Sequence, residues 1–176
     1  MRRMRTGWGF YGLVFLAGFV TFAVHEGGHW LAAALLGHEA YFGLNSAGAR
    51  GTVGTVDQMI ISAAGPAVTA AQALIALWLV QARASAAAWI FLFWAAFMRL
   101  MATGVSLFHP NDEARISDWL GWGMWTLPVL VTVALLGLLA VGTMRLGVGW
   151  KTLGLTWLVA SVAVSAVVGL DMVMPR

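Results

Sequence analysis

The chain has 176 residues, 61% of them apolar and 10% charged, with a mean hydropathy of +0.85. Soluble domains carry about 25% charged residues, so this composition excludes a water-soluble enzyme, a disordered tail and a nucleic-acid-binding domain. The sequence pI near 10.2 reflects a net charge of only +3 with no basic face, and the absence of cysteine excludes disulfides, thiolate metal ligands and a cysteine nucleophile.

A multi-span membrane protein remains, and it reads as all-α because the strand alternation of a membrane barrel is absent. Crossing the hydrocarbon core takes about 20 apolar residues, and about five stretches are long enough: 8–36, 59–80, 86–108, 122–144 and 150–170. Between them lie a Gly-rich loop (37–58), a tight turn around Arg83, a polar stretch (109–118) and a short basic turn from Arg145 to Lys151. Trp78, Trp89, Trp119, Trp122, Trp125 and Trp150 stand near span ends, where amphipathic rings favour the headgroup zone, with lipid-facing packing as the alternative for any one of them. The opening Met1-Arg2-Arg3-Met4-Arg5 before an apolar run reads as an uncleaved anchor, since Thr21-Phe22-Ala23 makes a poor cleavage site. With the N-terminus inside, Arg2, Arg3, Arg5, Arg83, Arg145 and Lys151 fall on the cytoplasmic side, and Arg50, Arg115 and Arg176 on the other. This bias predicts a multi-pass protein with its N-terminus in the cytoplasm; the expected location is a bacterial or archaeal plasma membrane.

An ionisable residue at the bilayer centre costs about 2.5–3.5 kcal/mol on insertion scales, yet the first span holds His25-Glu26-Gly27-Gly28-His29. Positions four apart share a helix face, so His25 and His29 can offer their imidazoles to one ion with Glu26 beside them. That is the H-E-x-x-H arrangement, in which two histidines hold zinc and the glutamate takes a proton from the attacking water. Zinc binding, worth about 10–16 kcal/mol in structural sites, outweighs the burial of its ligands. Gly27 and Gly28 remove bulk where another backbone or a substrate must approach.

Catalytic zinc usually has three protein ligands. His38 and Glu39 lie just beyond the first helix, Asp57 reads as an N-cap for the second span, and Asp171 reads as interfacial. The 109–118 segment is left, with His109, Asp112, Glu113 and Asp118. Spans one and three run parallel, so their C-terminal ends share a membrane face, and Pro110 is expected to break or kink the third helix. Arg99, deep in the third span, could stabilise an oxyanion or pair with Glu26 or an acidic loop residue, but the favoured expectation is a structural role, snorkelling or satisfying backbone carbonyls.

Three elements in order resemble the site-2 protease family of intramembrane zinc metalloproteases: His25 to His29 in a span, Ser62-Ala63-Ala64-Gly65-Pro66 in the next, and Pro110-Asn111-Asp112-Glu113-Ala114-Arg115-Ile116. The resemblance covers about 8–120. It implies a compact three-helix catalytic core (1–120) with two accessory helices (121–176), and one Zn²⁺ per chain held by His25, His29 and Asp112. It further implies Glu26 as the catalytic base and a transmembrane or membrane-anchored protein as substrate. The 41–56 stretch would form a loop or β-hairpin that holds substrate extended by strand addition. Glu113 and Ala114 stand where the family has a glycine pair, and Thr69 where it often has asparagine. Any regulator would be another membrane protein or the lipid. The rival expectations are a non-proteolytic metal-binding scaffold for transmembrane partners and a small transporter subunit.

Overall fold

The computed structural model describes residues 4 and 6–173; Arg2, Arg3, Arg5 and Arg176, which carry part of the charge asymmetry, lie outside the described residues. The described residues form helices α1 (Trp8–Leu35), α2 (Thr55–Arg83), α3 (Ala86–Val105), α4 (Asp112–Trp119), α5 (Thr126–Leu146) and α6 (Trp150–Val173). A hairpin of strands β1 (Ala40–Phe42) and β2 (Ala47–Ala49) lies between α1 and α2, antiparallel, with Tyr41 opposite Gly48. Every helix except α4 is long and apolar enough to cross a membrane.

The boundaries differ from the expected spans where local polar chemistry, not hydropathy, decides. α2 begins inside the expected loop, at Thr55, with Asp57 in its first turn, where a carboxylate suits the positive end of the helix dipole. It runs through Arg83 and stops at Ala84, whose φ of 50° is left-handed. α3 ends at Val105, ahead of Pro110, and the Ser106 hydroxyl accepts the Asn111 N–H at 3.2 Å to close the connecting turn. α5 starts only after Gly121 and Gly123, both at positive φ.

The polar 109–118 stretch is not a plain loop. Asn111 caps α4 by accepting the Ala114 N–H at 2.8 Å, and Asp112 and Glu113 occupy the first turn. Both devices favour a helix start, so eight polar-rich residues hold a helix that no apolar pattern announces.

α3 is the central element, packed by α1, α2 and α5. Trp89, Phe93 and Phe97 form a ladder of rings with centroids 5.7 and 5.6 Å apart along its buried face. Trp89 is therefore core, not interfacial: it is fully buried and its indole N–H donates to Thr143 Oγ1 at 3.0 Å. On the α1 side, Trp94 donates to the Val14 carbonyl at 2.8 Å. Gly18 makes that approach possible, since a Cβ there would lie 2.5 Å from the Trp94 ring. Further along, α1 and α2 cross at Gly28, where a Cβ would meet the Ala64 carbonyl oxygen at 3.0 Å. α6 packs against α1, with Trp157 edge-on to Phe97 at 4.8 Å.

Candidate metal centre

His25 and His29 lie one turn apart on the buried face of α1, and their Nε2 atoms are 3.3 Å apart. Each Nδ1 has a partner on α2. His29 Nδ1 lies 2.6 Å from the Ile61 carbonyl oxygen, which can only accept, so Nδ1 carries the proton. His25 Nδ1 lies 2.9 Å from Thr69 Oγ1, and that hydroxyl spends its own proton on the Gly65 carbonyl at 3.2 Å. Thr69 therefore accepts from His25, which fixes the same tautomer. Both Nε2 lone pairs face inward.

Asp112 enters from the first turn of α4. Its Oδ2 lies 3.4 Å from His25 Nε2 and 3.3 Å from His29 Nε2, while its Oδ1 accepts from Arg115 Nη2 at 2.6 Å. Two imidazole lone pairs and a carboxylate thus converge with no proton assigned between them. A tetrahedral ion with bonds of about 2.0–2.1 Å needs ligand atoms about 3.3–3.4 Å apart, which matches all three separations. The donor set, two nitrogens and one oxygen, suits zinc. Among the described residues this is the one cluster of three such side chains within metal-binding reach.

The buried surroundings are polar and specific. Arg99 Nη1 donates to both oxygens of Glu113, at 2.8 and 3.0 Å, and lies 3.9 Å from Asp112 Oδ2; Arg99 Nη2 is 3.4 Å from His25 Nε2. The favoured expectation that Arg99 snorkels or serves backbone carbonyls is corrected: it pairs with an acidic residue of α4. Glu113 is that partner, and Thr69 orients His25. Neither role has a local sequence signal, although an uncompensated Arg in a span calls for a nearby acid.

Glu26 is buried beside His25 and lines a cavity of about 310 Å³ together with Asp112, Arg99, Asn111, His109 and Asn45. His25 also lines it, and the rest of its wall is apolar, including Phe22, Met98, Met101, Val105, Val164 and Val168. The remaining candidates lie apart from the cluster. His38 Nε2 binds Asp57 Oδ2 at 2.9 Å, so Asp57 ties the end of α1 to α2 and does not cap; the N-cap is Gly54, without a side-chain bond. Glu39 pairs with Arg50 at the surface, and Asp118 is exposed. Asp171 is buried, not interfacial, and accepts the Leu44 N–H at 2.8 Å.

The glycines divide sharply. A Cβ on Gly65 would fall 2.6 Å from His25 Cε1 and 2.7 Å from His29 Cε1, so the imidazoles pack directly onto bare α2 backbone. Gly28 answers the expectation of a close backbone approach, but Gly27 has nothing within 4 Å and does not. No family model matches the chain, and no curated protein or solved structure matches it either.

Proposed function

We propose that this chain is a multi-pass membrane protein and a zinc-dependent intramembrane endopeptidase of the site-2 type. The observation that carries the reading is the convergence of His25 Nε2, His29 Nε2 and Asp112 Oδ2 at tetrahedral spacing beside the buried Glu26. Zinc, when bound, supplies Lewis acidity to a water and to the scissile carbonyl. The chain's own residues do the rest. Glu26 takes a proton from the water, whose oxygen adds to the carbonyl carbon, and delivers that proton to the departing amide nitrogen. The C–N bond breaks, leaving one new carboxyl and one new amine terminus.

The cavity supports a polypeptide substrate drawn from the bilayer. Its apolar wall suits a hydrophobic side chain, while Asn45, Arg99 and Asn111 add polar groups to its lining. The hairpin offers strand edges for holding that segment extended. The charge distribution favours an N-terminus in the cytoplasm, with residues 1–120 as the catalytic core and 121–176 as accessory helices.

The deciding experiment measures zinc content and cleavage together, using purified protein and a transmembrane model substrate. One zinc per chain with cleavage that Glu26→Gln removes supports the reading. Zinc without turnover on any co-expressed membrane substrate favours a metal-binding scaffold, and absence of zinc overturns the metal centre itself.

A further inference from the structure

Asp171 does nothing in the chemistry just described, yet it is 5% exposed near the C-terminal end of α6. A buried carboxylate is retained only where it is well partnered, and two of its partners lie in the hairpin turn. Oδ1 accepts the Leu44 N–H at 2.8 Å and Oδ2 lies 3.5 Å from Ser46 Oγ. The turn is shaped around it. Gly43 donates to the Ser46 carbonyl at 2.7 Å, and a Cβ on Gly43 would fall 2.6 Å from Asp171 Oδ1.

The placement gives this contact a consequence. Val164 and Val168 precede Asp171 on the same α6 stripe, at the four- and three-residue spacing that shares a helix face, and both line the cavity. Asn45, in the turn, lines it as well. The strands pack on α1, so the hairpin links α1 to α6. α6 and the turn both contribute to the cavity lining, and Asp171 ties one to the other.

We infer that Asp171 is a latch, a positioning residue that fastens the hairpin turn to α6 beside the cavity and so controls admission of an extended polypeptide. The polypeptide part rests on the proposed protease reading; the latch does not. Release of the Leu44 and Ser46 contacts frees the turn to swing from α6 without disturbing the metal ligands on α1 and α4.

The test uses the full chain in detergent, free of native cysteine, with Ala102→Cys on the cavity wall and maleimide as the probe. Adding Asp171→Ala should raise the labelling rate about tenfold, as expected for loss of a charged hydrogen bond. Asp171→Asn, whose amide oxygen still accepts from Leu44, should raise it less. Labelling of Leu35→Cys, at a position already 78% exposed, should not change. Gly43→Ala, which pushes the turn off the carboxylate, should open the cavity as Asp171→Ala does, and the pair together should add nothing further. Three results would each overturn the latch: an Ala102→Cys labelling rate that Asp171→Ala leaves unchanged, a parallel rise for Leu35→Cys, or full additivity of Gly43→Ala and Asp171→Ala. With a cleavable substrate, Asp171→Ala should change KM more than kcat. A chain that shows the labelling pattern but cuts nothing keeps the latch and loses the protease.

Discussion

Arg99 of α3 and Glu113 of α4 form a buried ion pair next to the cluster, with side chains 5% and 3% exposed. The pair brings two opposite charges out of water together and fixes the first turn of α4, and with it Asp112, the preceding residue. It also offsets the guanidinium charge beside a site suited to a dication. Arg99→Lys and Glu113→Gln should each weaken zinc affinity by about 10–100-fold, the usual effect of losing an outer partner of a metal ligand. Glu113→Ala, which strands the guanidinium, should in addition destabilise the fold by about 3–5 kcal/mol. Competitive zinc titration and thermal unfolding measure the two effects separately.

Zinc stoichiometry should fall well below one per chain in His25→Ala, His29→Ala and Asp112→Ala. His38→Ala should retain the metal, because His38 is committed to Asp57 at the α1–α2 joint. Elemental analysis of the four purified variants checks this, and equal loss in all four would contradict the assigned ligand set.

Glu26→Gln keeps the shape of the side chain and removes its basicity. Metal content should stay at the wild-type level while peptide cleavage drops by about 10²–10⁴-fold, the range for a lost general base. A single-turnover assay with substrate in detergent or liposomes reads it directly.

Gly65 and Gly27 should respond in opposite directions to one methyl group. Gly65→Ala drives a Cβ into both imidazoles, so zinc binding should be lost at a cost of about 1–3 kcal/mol in stability. Gly27→Ala meets open space within α1 and should be neutral or stabilising by about 0.5–1 kcal/mol through helix propensity. Circular dichroism melts and zinc content of the two variants make the comparison.

Orientation is testable by single-cysteine labelling in cells. Arg50→Cys and Arg115→Cys should react with an impermeant maleimide added outside, and Arg83→Cys only after permeabilisation. Reversal of that pattern would invert the proposed topology.

The apolar runs and the four-residue spacing of His25 and His29 are legible because both are local properties of one helix. Asp112 is not reachable from spacing alone; the order of motifs singles it out, and the α4 N-terminus is what brings it to the histidines. Hydropathy is silent about the helical state of that segment. Asn111 followed by Asp112 and Glu113 is nevertheless a capping and dipole signal that could announce it. The pairs Arg99–Glu113, His38–Asp57, His25–Thr69 and Leu44–Asp171 are separated by 14, 19, 44 and 127 positions in sequence. No local pattern records which side chains tertiary packing will bring together. Trp89 differs from expectation for the same reason: its position at a helix start suggests the interface, while its neighbours make it core.

α1 is keyed twice, at Gly18 by the Trp94 ring and at Gly28 by the Ala64 carbonyl, and both imidazoles sit on or beside the stretch so gauged. Each added residue turns a helix by about 100° and advances it about 1.5 Å. One extra or missing residue between the keys would swing the histidines away from α2 and α4, and neither end could turn to absorb the error. The chain can therefore vary in length at its joints, around Gly147 and Gly149 for instance, but between Gly18 and Gly28 only exchanges that preserve the count are open to it.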